Sequence, residues 1–314
     1  MRLVLCFGVV IFLLGLVSSN TAFAQQDAQY THYMFNSLAF NPGYAGTRGA
    51  LNFTALGRFQ WVGVEGAPKT FVLSGHSPIT NQNMGVGGWV ETDRIGVHNR
   101  TSLFGNYAYH LPVSEQNTLS LGLTAGFWHY ASNWGNAGNI LNPDDPNAIN
   151  ESSKILPNFG LGAFFYGENY YAGLSAPHIL AQKLDEIALE AKQFLHLYLT
   201  GGYLFPLSEK LQLMPTALVK MTPNSSPVTF DVNANLIFDN KFGIGVGYRN
   251  SDAIDVMLQF NHKQLRIGYA YDLTLSQLKT FGSGSHEIML GIDLGNKGND
   301  DFGSDGKVLS PRFF

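Results

Sequence analysis

Phe242-Gly243-Ile244-Gly245-Val246-Gly247-Tyr248-Arg249 alternates a large apolar side chain with a glycine or a polar one along its whole length. Successive residues of an extended chain point to opposite faces, so this stretch is a strand with one oily face. Its glycines lack a following helix and so do not read as a nucleotide loop; they relieve crowding where strands curve. The same period runs upstream, with Val228, Phe230, Val232, Ala234, Leu236 and Phe238 alternating against Thr229, Asp231, Asn233, Asn235 and Asp239. Downstream, Leu265, Ile267, Tyr269 and Tyr271 alternate against Gln264, Arg266, Gly268 and Asp272. One such strand fits the core of a soluble sandwich or the wall of a membrane barrel equally well, so strand number and length must decide.

Candidate strands start near Leu51, Thr70, Met84, Thr101, Thr118, Leu156, Tyr170, Phe194, Leu211, Val228, Lys241, Ile254, Gln264 and His286. Each approaches the ~9–11 residues that cross a bilayer at a tilt. An even number of antiparallel strands closes without an exposed edge, as a membrane requires. Loop lengths sort by parity: the links Pro78 to Asn83, Pro112 to Asn117, Gly167 to Asn169, Pro206 to Lys210, Asp239-Asn240 and Asn261 to Lys263 are all short. The long links, Ser132 to Ile155, Ala176 to Ala191 and Leu273 to Ser285, all fall in the other class. Outer-membrane barrels show this alternation of short periplasmic turns and longer outer loops, and a sandwich has no reason to. The sequence therefore predicts an all-β fold, a transmembrane antiparallel β-barrel of about 14 strands over residues 51–295, with a short helix at Gln182 to Gln193 in an outer loop.

Composition agrees. Only 13% of the residues are charged, where a soluble domain carries about 25%. A formal charge of −4 leaves no basic footprint for nucleic acid. Arg2, the apolar run Leu3 to Val17 and Ala22-Phe23-Ala24 read as a signal peptide over residues 1–24. The only cysteine, Cys6, lies inside it, so the exported chain uses neither disulfides nor thiol chemistry. Residues 25–50 form a segment, periplasmic or lumenal, that should begin in the periplasm; Asn41-Pro42-Gly43 gives it turn chemistry and a compact shape. Residues 296–314 are a tail rich in Gly, Asn and Asp at its start. Trp61, Trp89, Tyr109, Tyr130, Tyr203, Phe205, Phe238, Tyr248, Phe260 and Tyr271 fall near strand ends, where interfacial girdles belong.

Catalytic patterns are scarce: the chain has no H-E-x-x-H, no G-x-S-x-G and no Walker loop. His286 and Glu287 are adjacent in a strand and so point to opposite faces. Asn142-Pro143-Asp144-Asp145 and Asn299-Asp300-Asp301 lack the ligand spacing of a dedicated calcium loop and read as solvated loops. No cofactor, metal or catalytic residue is assigned. If the apolar face meets lipid, then Arg58, Gln60, Asp231, Arg249, Asp255, Arg266, Asp272, Glu287 and Asp293 face the lumen. Both signs are present, which fits an interior cross-linked by ion pairs or plugged, and also one that is merely wetted.

The segments Tyr33-Met34-Phe35-Asn36-Ser37-Leu38, Asn41-Pro42-Gly43-Tyr44-Ala45-Gly46, Arg58-Phe59-Gln60-Trp61-Val62-Gly63 and Gly66-Ala67-Pro68-Lys69-Thr70 resemble the opening pattern of the PorP/SprF family. Asp93-Arg94-Ile95-Gly96, Tyr269-Ala270-Tyr271-Asp272, Ser276-Gln277-Leu278, Ser285-His286-Glu287-Ile288 and Pro311-Arg312-Phe313 extend the resemblance along the mature chain. Two departures stand out: Gly43 occupies a position expected to hold Ala, and Ser310 one that often holds Cys. The resemblance implies a non-enzymatic outer-membrane barrel of the type IX secretion and gliding machinery. It further implies partners: a secreted surface adhesin or other type IX cargo, periplasmic lipoproteins of the machinery, and outer-membrane lipid. Placing the motifs on the topology makes Arg58, Gln60, Trp61, Gly66, Pro68, Asp93 and Gly96 the candidate partner-binding residues. The alternative function is an outer-membrane diffusion pore or transporter, because a fold does not fix a function.

Overall fold

The computed structural model of the protein describes residues 28–79, 83–133, 152–182, 193–223 and 226–294. The strands are β1 (Leu51–Phe59), β2 (Lys69–Ile79), β3 (Met84–Ile95), β4 (His98–Ser114), β5 (Asn117–Ser132), β6 (Ser152–Tyr166), β7 (Tyr170–Ala176) and β8 (Leu197–Tyr203). They continue with the two-residue β9 (Phe205–Pro206), then β10 (Leu211–Thr222), β11 (Ser226–Phe238), β12 (Phe242–Arg249), β13 (Ala253–His262), β14 (Leu265–Thr274) and β15 (Ser285–Leu294). Because β9 continues β8 past Leu204 and both pair with β10, the wall has 14 staves. Every neighbour is antiparallel, and β1 closes on β15 from Leu51↔Leu294 to Phe59↔His286. Closure leaves the sheet no free edge, which is how a spanning sheet satisfies its backbone in lipid. Among the described residues no helix is long and apolar enough to cross a membrane.

Alternation sets the two faces. Leu73, Leu123, Phe159, Val246 and Leu258 are exposed on the outside, where lipid covers them, while their neighbours in sequence are buried inside. Aromatic pairs mark both ends of the wall. Tyr170 and Tyr203 stack with ring centroids 6.3 Å apart, and Phe242 meets Phe260 at 5.2 Å, both at the short-turn end. Phe230 and Tyr248 at 6.2 Å, and Tyr271 and His286 at 5.2 Å, mark the loop end. Two of the expected girdle residues depart from this. Trp89 sits inside, stacked on Phe104 at 4.8 Å, and Tyr130 packs against the same inner cluster. Both occupy inward-parity positions, and parity overrides nearness to a strand end.

The lumen is occupied. Residues Tyr30 to Thr47 are all buried, wound into single-turn 3-10 helices at Tyr33–Phe35, Ser37–Ala39 and Pro42–Tyr44. Asn41 starts the last of these turns by accepting the Gly43 N–H at 2.9 Å, and Pro42 pre-sets its backbone. Tyr33, Met34, Leu38, Phe40 and Tyr44 are buried in the inner cluster, Tyr33 donating to the Thr216 hydroxyl at 3.0 Å and Phe40 packing on Tyr198 at 5.3 Å; burying each large side chain contributes roughly 1.5–3 kcal/mol against the entropy of ordering the chain. Tyr44 meets Phe164 at 5.4 Å and His76 at 5.2 Å, edge to face. Close approach is possible because the wall is bare there: a Cβ on Gly85 would overlap the Ala45 carbonyl, and one on Gly122 would overlap Pro42 and Gly43.

The described residues of the segment are anchored at both ends of the wall. Tyr30, Thr31 and His32 bond to Glu91, Asp272 and Glu287, all near the loop end of their strands. Arg48, at the other extreme, grips Asp293 through two bonds of 3.0 Å at the turn end. The described part therefore runs through the lumen from near the loop end to the start of β1 at the turn end. The reason is chemical: the donors of Thr31 and His32 find their carboxylates only near the loop end.

Candidate functional site

The loop end is stitched into one surface. The β1–β2 loop closes on itself through Gln60 N–H to Pro68 O at 3.0 Å and Val64 N–H to Trp61 O at 3.0 Å. It joins the β14–β15 loop through Val62 N–H to Gly284 O at 2.9 Å and Ser283 N–H to Val62 O at 2.8 Å. It joins the β3–β4 turn through Gly96 N–H to Gly66 O at 2.9 Å. Leu275 N–H to Asp252 O at 2.7 Å and Asn133 N–H to Val97 O at 3.0 Å carry the stitching to the flanking strands. The weave needs left-handed backbone at several points. Glycine supplies it at Gly66 (φ 73°) and Gly96 (φ 56°), but Trp61 holds φ 43° without that freedom. A bulky residue at positive φ stores strain that the surrounding bonds must hold. The Ser285 Oγ accepting the Trp61 N–H at 3.2 Å is one such restraint.

Below the rim lies a buried charge cluster. Arg58 donates to Asp272 at 2.7 Å, to Glu287 at 3.1 Å and to the Thr31 hydroxyl at 2.9 Å. Glu287 also accepts the Thr31 N–H at 2.9 Å, the His32 N–H at 2.7 Å and pairs with His32 Nδ1 at 2.8 Å. Arg249 bridges Asp231 at 2.9 Å and Asp272 at 3.2 Å, and reaches Asp252 in the rim at 3.3 Å. A second group joins Glu91 to Arg100 at 2.9 Å and to the Tyr30 hydroxyl. Inward parity brings these groups together from strands far apart in sequence, and each charge is paired, as a buried charge must be.

The candidate residues separate into two sets. Gln60, Trp61, Gly66, Pro68 and Gly96 belong to the woven rim, Gln60 and Trp61 half-buried, Gly66 and Gly96 exposed and Pro68 buried. Arg58 and Asp93 are on the inner wall, where Asp93 accepts the Thr70 hydroxyl at 2.7 Å. Gln60 follows the last β1 residue, Phe59, so it belongs to the loop and not to the lumenal row. Sequence reading missed Phe281, 71% exposed in the β14–β15 loop, and the plug residues Thr31 and His32. An apolar Phe inside a stretch too polar for a strand was the available signal. Glu287 faces in and His286 faces out, where its Nδ1 lies 2.8 Å from the Tyr269 hydroxyl. Among the described residues no group of His, Cys, Asp and Glu could hold a metal ion. The expected signal peptide, the expected helix at Gln182 to Gln193 apart from its two end residues, the acidic stretches at 142–145 and 299–301 and the tail lie outside the described residues.

A family model described as type IX secretion system membrane protein PorP/SprF matches residues 22–292. A search of curated proteins finds no sequence match. Among solved structures the chain is similar to the Acinetobacter baumannii outer membrane protein Omp33, at 10% identity and TM-score 0.44 over 79% of this chain and 100% of that one. It is similar to the NanC porin at 9% identity and TM-score 0.41, over 79% and 100% of the two chains. The translocator domain of autotransporter NalP from Neisseria meningitidis gives 14% identity and TM-score 0.42, over 84% and 94%.

Proposed function

The chain belongs to the PorP/SprF family of type IX secretion system membrane proteins and is an outer-membrane β-barrel, and we propose that it is a non-catalytic docking component of that machinery. In this reading the loop-end rim meets a secreted adhesin or other type IX cargo and helps export it or keep it on the cell surface. The turn end faces the periplasm and meets the lipoproteins of the machinery.

The observation that carries the reading is the filled lumen. A barrel built to pass solutes keeps a lined aqueous path; here the chain's own residues 30–47 occupy that space, held by paired buried charges at the loop end and by Arg48 at the turn end. At the loop end the rim is accessible, and there Phe281 and Val62 offer apolar contact beside the half-buried Trp61. Aromatic anchors on a rigid surface are what dominates protein interfaces.

The test is retention of cargo. Trp61→Ala and Phe281→Ser are expected to leave barrel abundance in the outer membrane unchanged and to lower the surface-displayed cargo that whole-cell antibody labelling detects. Undiminished display in the double variant at normal barrel abundance would refute the rim assignment. Disappearance of the barrel itself would show that these residues only lock the loops.

A further inference from the structure

The two ends of the lumen are balanced differently. At the loop end Arg58, Arg249 and Arg100 each bond a carboxylate directly. At the turn end two arginines, Arg48 and Arg266, converge on one carboxylate, Asp293. It belongs to an inward row, Asp293, Asn52 and His76, that crosses β15, β1 and β2. Arg48 takes both of its oxygens at 3.0 Å, and the Asn52 side chain donates to Oδ1 at 2.7 Å. Arg266 is left with its Nε 3.7 Å from Oδ2, too far for a hydrogen bond.

Arg266 is the second residue of β14 and opposes Gly291 of β15. A Cβ on Gly291 would overlap its guanidinium, so the side chain lies across bare strand inside the lumen, 6% exposed. Its Nε, Nη1 and Nη2 have no hydrogen-bond partner among the described residues. A buried lysine could shed its proton, but an arginine stays charged. An unpaired buried charge is costly, so this one calls for an acceptor that the wall does not supply. His76 adds a donor in the neighbouring row. Its Nδ1 accepts the Gly46 N–H at 3.0 Å, which in a neutral ring places the proton on Nε2. That Nε2 is also buried without a partner among the described residues. Asp293 is 27% exposed, so the layer reaches water at the turn end.

We propose that the turn-end mouth of the lumen is a binding site for one oxyanion, a carboxylate or a phosphate group, held by the guanidinium of Arg266. The planar fork of an arginine takes either group through two parallel hydrogen bonds. Arg48 adds positive charge nearby, but its fork is already committed to Asp293. An occupant would therefore sit beside the Arg48 anchor and brace the foot of the plug. By the sidedness of the short turns the ligand comes from the periplasm. That sidedness belongs to the docking reading given above; the binding itself does not depend on it.

Urea unfolding of the full-length barrel in a non-ionic, phosphate-free detergent tests the site, read by gel mobility in chloride, acetate and phosphate buffers of equal pH and ionic strength. Wild type is compared with Arg266→Gln, with Arg266→Lys, and with Lys241→Gln, which removes an exposed cation at the same end. A ligand that binds only the folded state raises its midpoint. The expected result is a higher midpoint in acetate or phosphate than in chloride for wild type and Lys241→Gln, and no such rise for Arg266→Gln. A rise in acetate alone assigns a carboxylate-bearing ligand, a rise in phosphate alone a phosphate-bearing one, and a rise in both a site that reads the shared fork. Arg266→Lys keeps the charge and loses the fork, and should weaken binding by about tenfold or more. Equal rises in all four proteins would be a general salt effect only and would overturn the proposal, as would no rise in wild type. In chloride, Arg266→Gln should unfold at or above the wild-type midpoint, since no hydrogen bond is lost with it. A large fall there would show that Arg266 is already paired within the protein, and would also overturn the proposal. Cargo is not part of the readout, so failure here leaves the rim reading to its own test.

Discussion

Arg58 is the residue on which the plug and the wall converge, and truncating it to Met is the sharpest stability test of the barrel. Its guanidinium is 1% exposed, and its partners Asp272 and Glu287 are 2% and 0% exposed. Removing one partner of a buried ion pair costs about 3–5 kcal/mol, because a charge is left uncompensated. The lower end applies here. Glu287 keeps the donors of Thr31 and His32, and Asp272 keeps Arg249 at 3.2 Å and the Thr31 hydroxyl at 2.8 Å. The expected loss is about 3 kcal/mol, roughly a hundredfold in the folding equilibrium. It is measured as the urea midpoint of the barrel refolded in lipid vesicles, read by the gel mobility of folded against unfolded protein. Arg58→Met combined with Glu287→Gln is expected to lose less than the sum of the two single changes, since the pair is then removed together. Strict additivity, or a loss below about 1 kcal/mol for Arg58→Met, would refute the view that this cluster holds the plug.

The other expectations concern the wall, the plug and the sidedness of the loops. Val246→Arg places a cation on the lipid face and should cost about 2–4 kcal/mol if it lies near the midplane, with Val246→Ala close to wild type; equal surface levels of the two variants would contradict the lipid-facing assignment. Its neighbour is no neutral control, because a Cβ on Gly245 would overlap the Asn235 side chain. Gly245→Ser should therefore also lower the unfolding midpoint. Gly122→Val should displace the Pro42–Tyr44 turn and loosen the plug, seen as new protease cuts within residues 30–47; an unchanged digest would show that the wall can yield there. In planar bilayers the wild-type barrel should give no large, steady single-channel steps, and deletion of residues 30–47 should create them. Steady wild-type steps would favour the pore reading. Tags at Asn147 and Asp185 should be labelled on intact cells and a tag between Asp239 and Asn240 should not; the reverse order would invert the barrel.

The sequence by itself determined what depends on neighbours along the chain. A period of two is local, so the strands, their inward and outward faces and the parity of the loops were legible. The inward rank of Arg58, Asp231, Arg249, Asp272 and Glu287 followed from the same parity. Strand ends were less so, because a ladder extends as far as its partner allows: β4 begins at His98 and not near Thr101, since His98 still pairs with Ile95 and Ser132. Only the tertiary structure decided who meets whom across the lumen. Residues 30–47 carry no strand period, and turn chemistry says they are compact without saying where they lie. Their place is set by carboxylates more than two hundred residues away, Asp272 and Glu287, and by bare wall at Gly85 and Gly122. The glycines of β12 show the same limit. Curvature was a reasonable expectation for them, but the space over Gly247 is taken by Asn233 and Asp255, which reach across it from the two flanking strands. Trp61 marks the boundary between the two kinds of knowledge: its place at the end of β1 was readable, while its left-handed backbone is forced by bonds from a loop that closes only when β15 returns to β1.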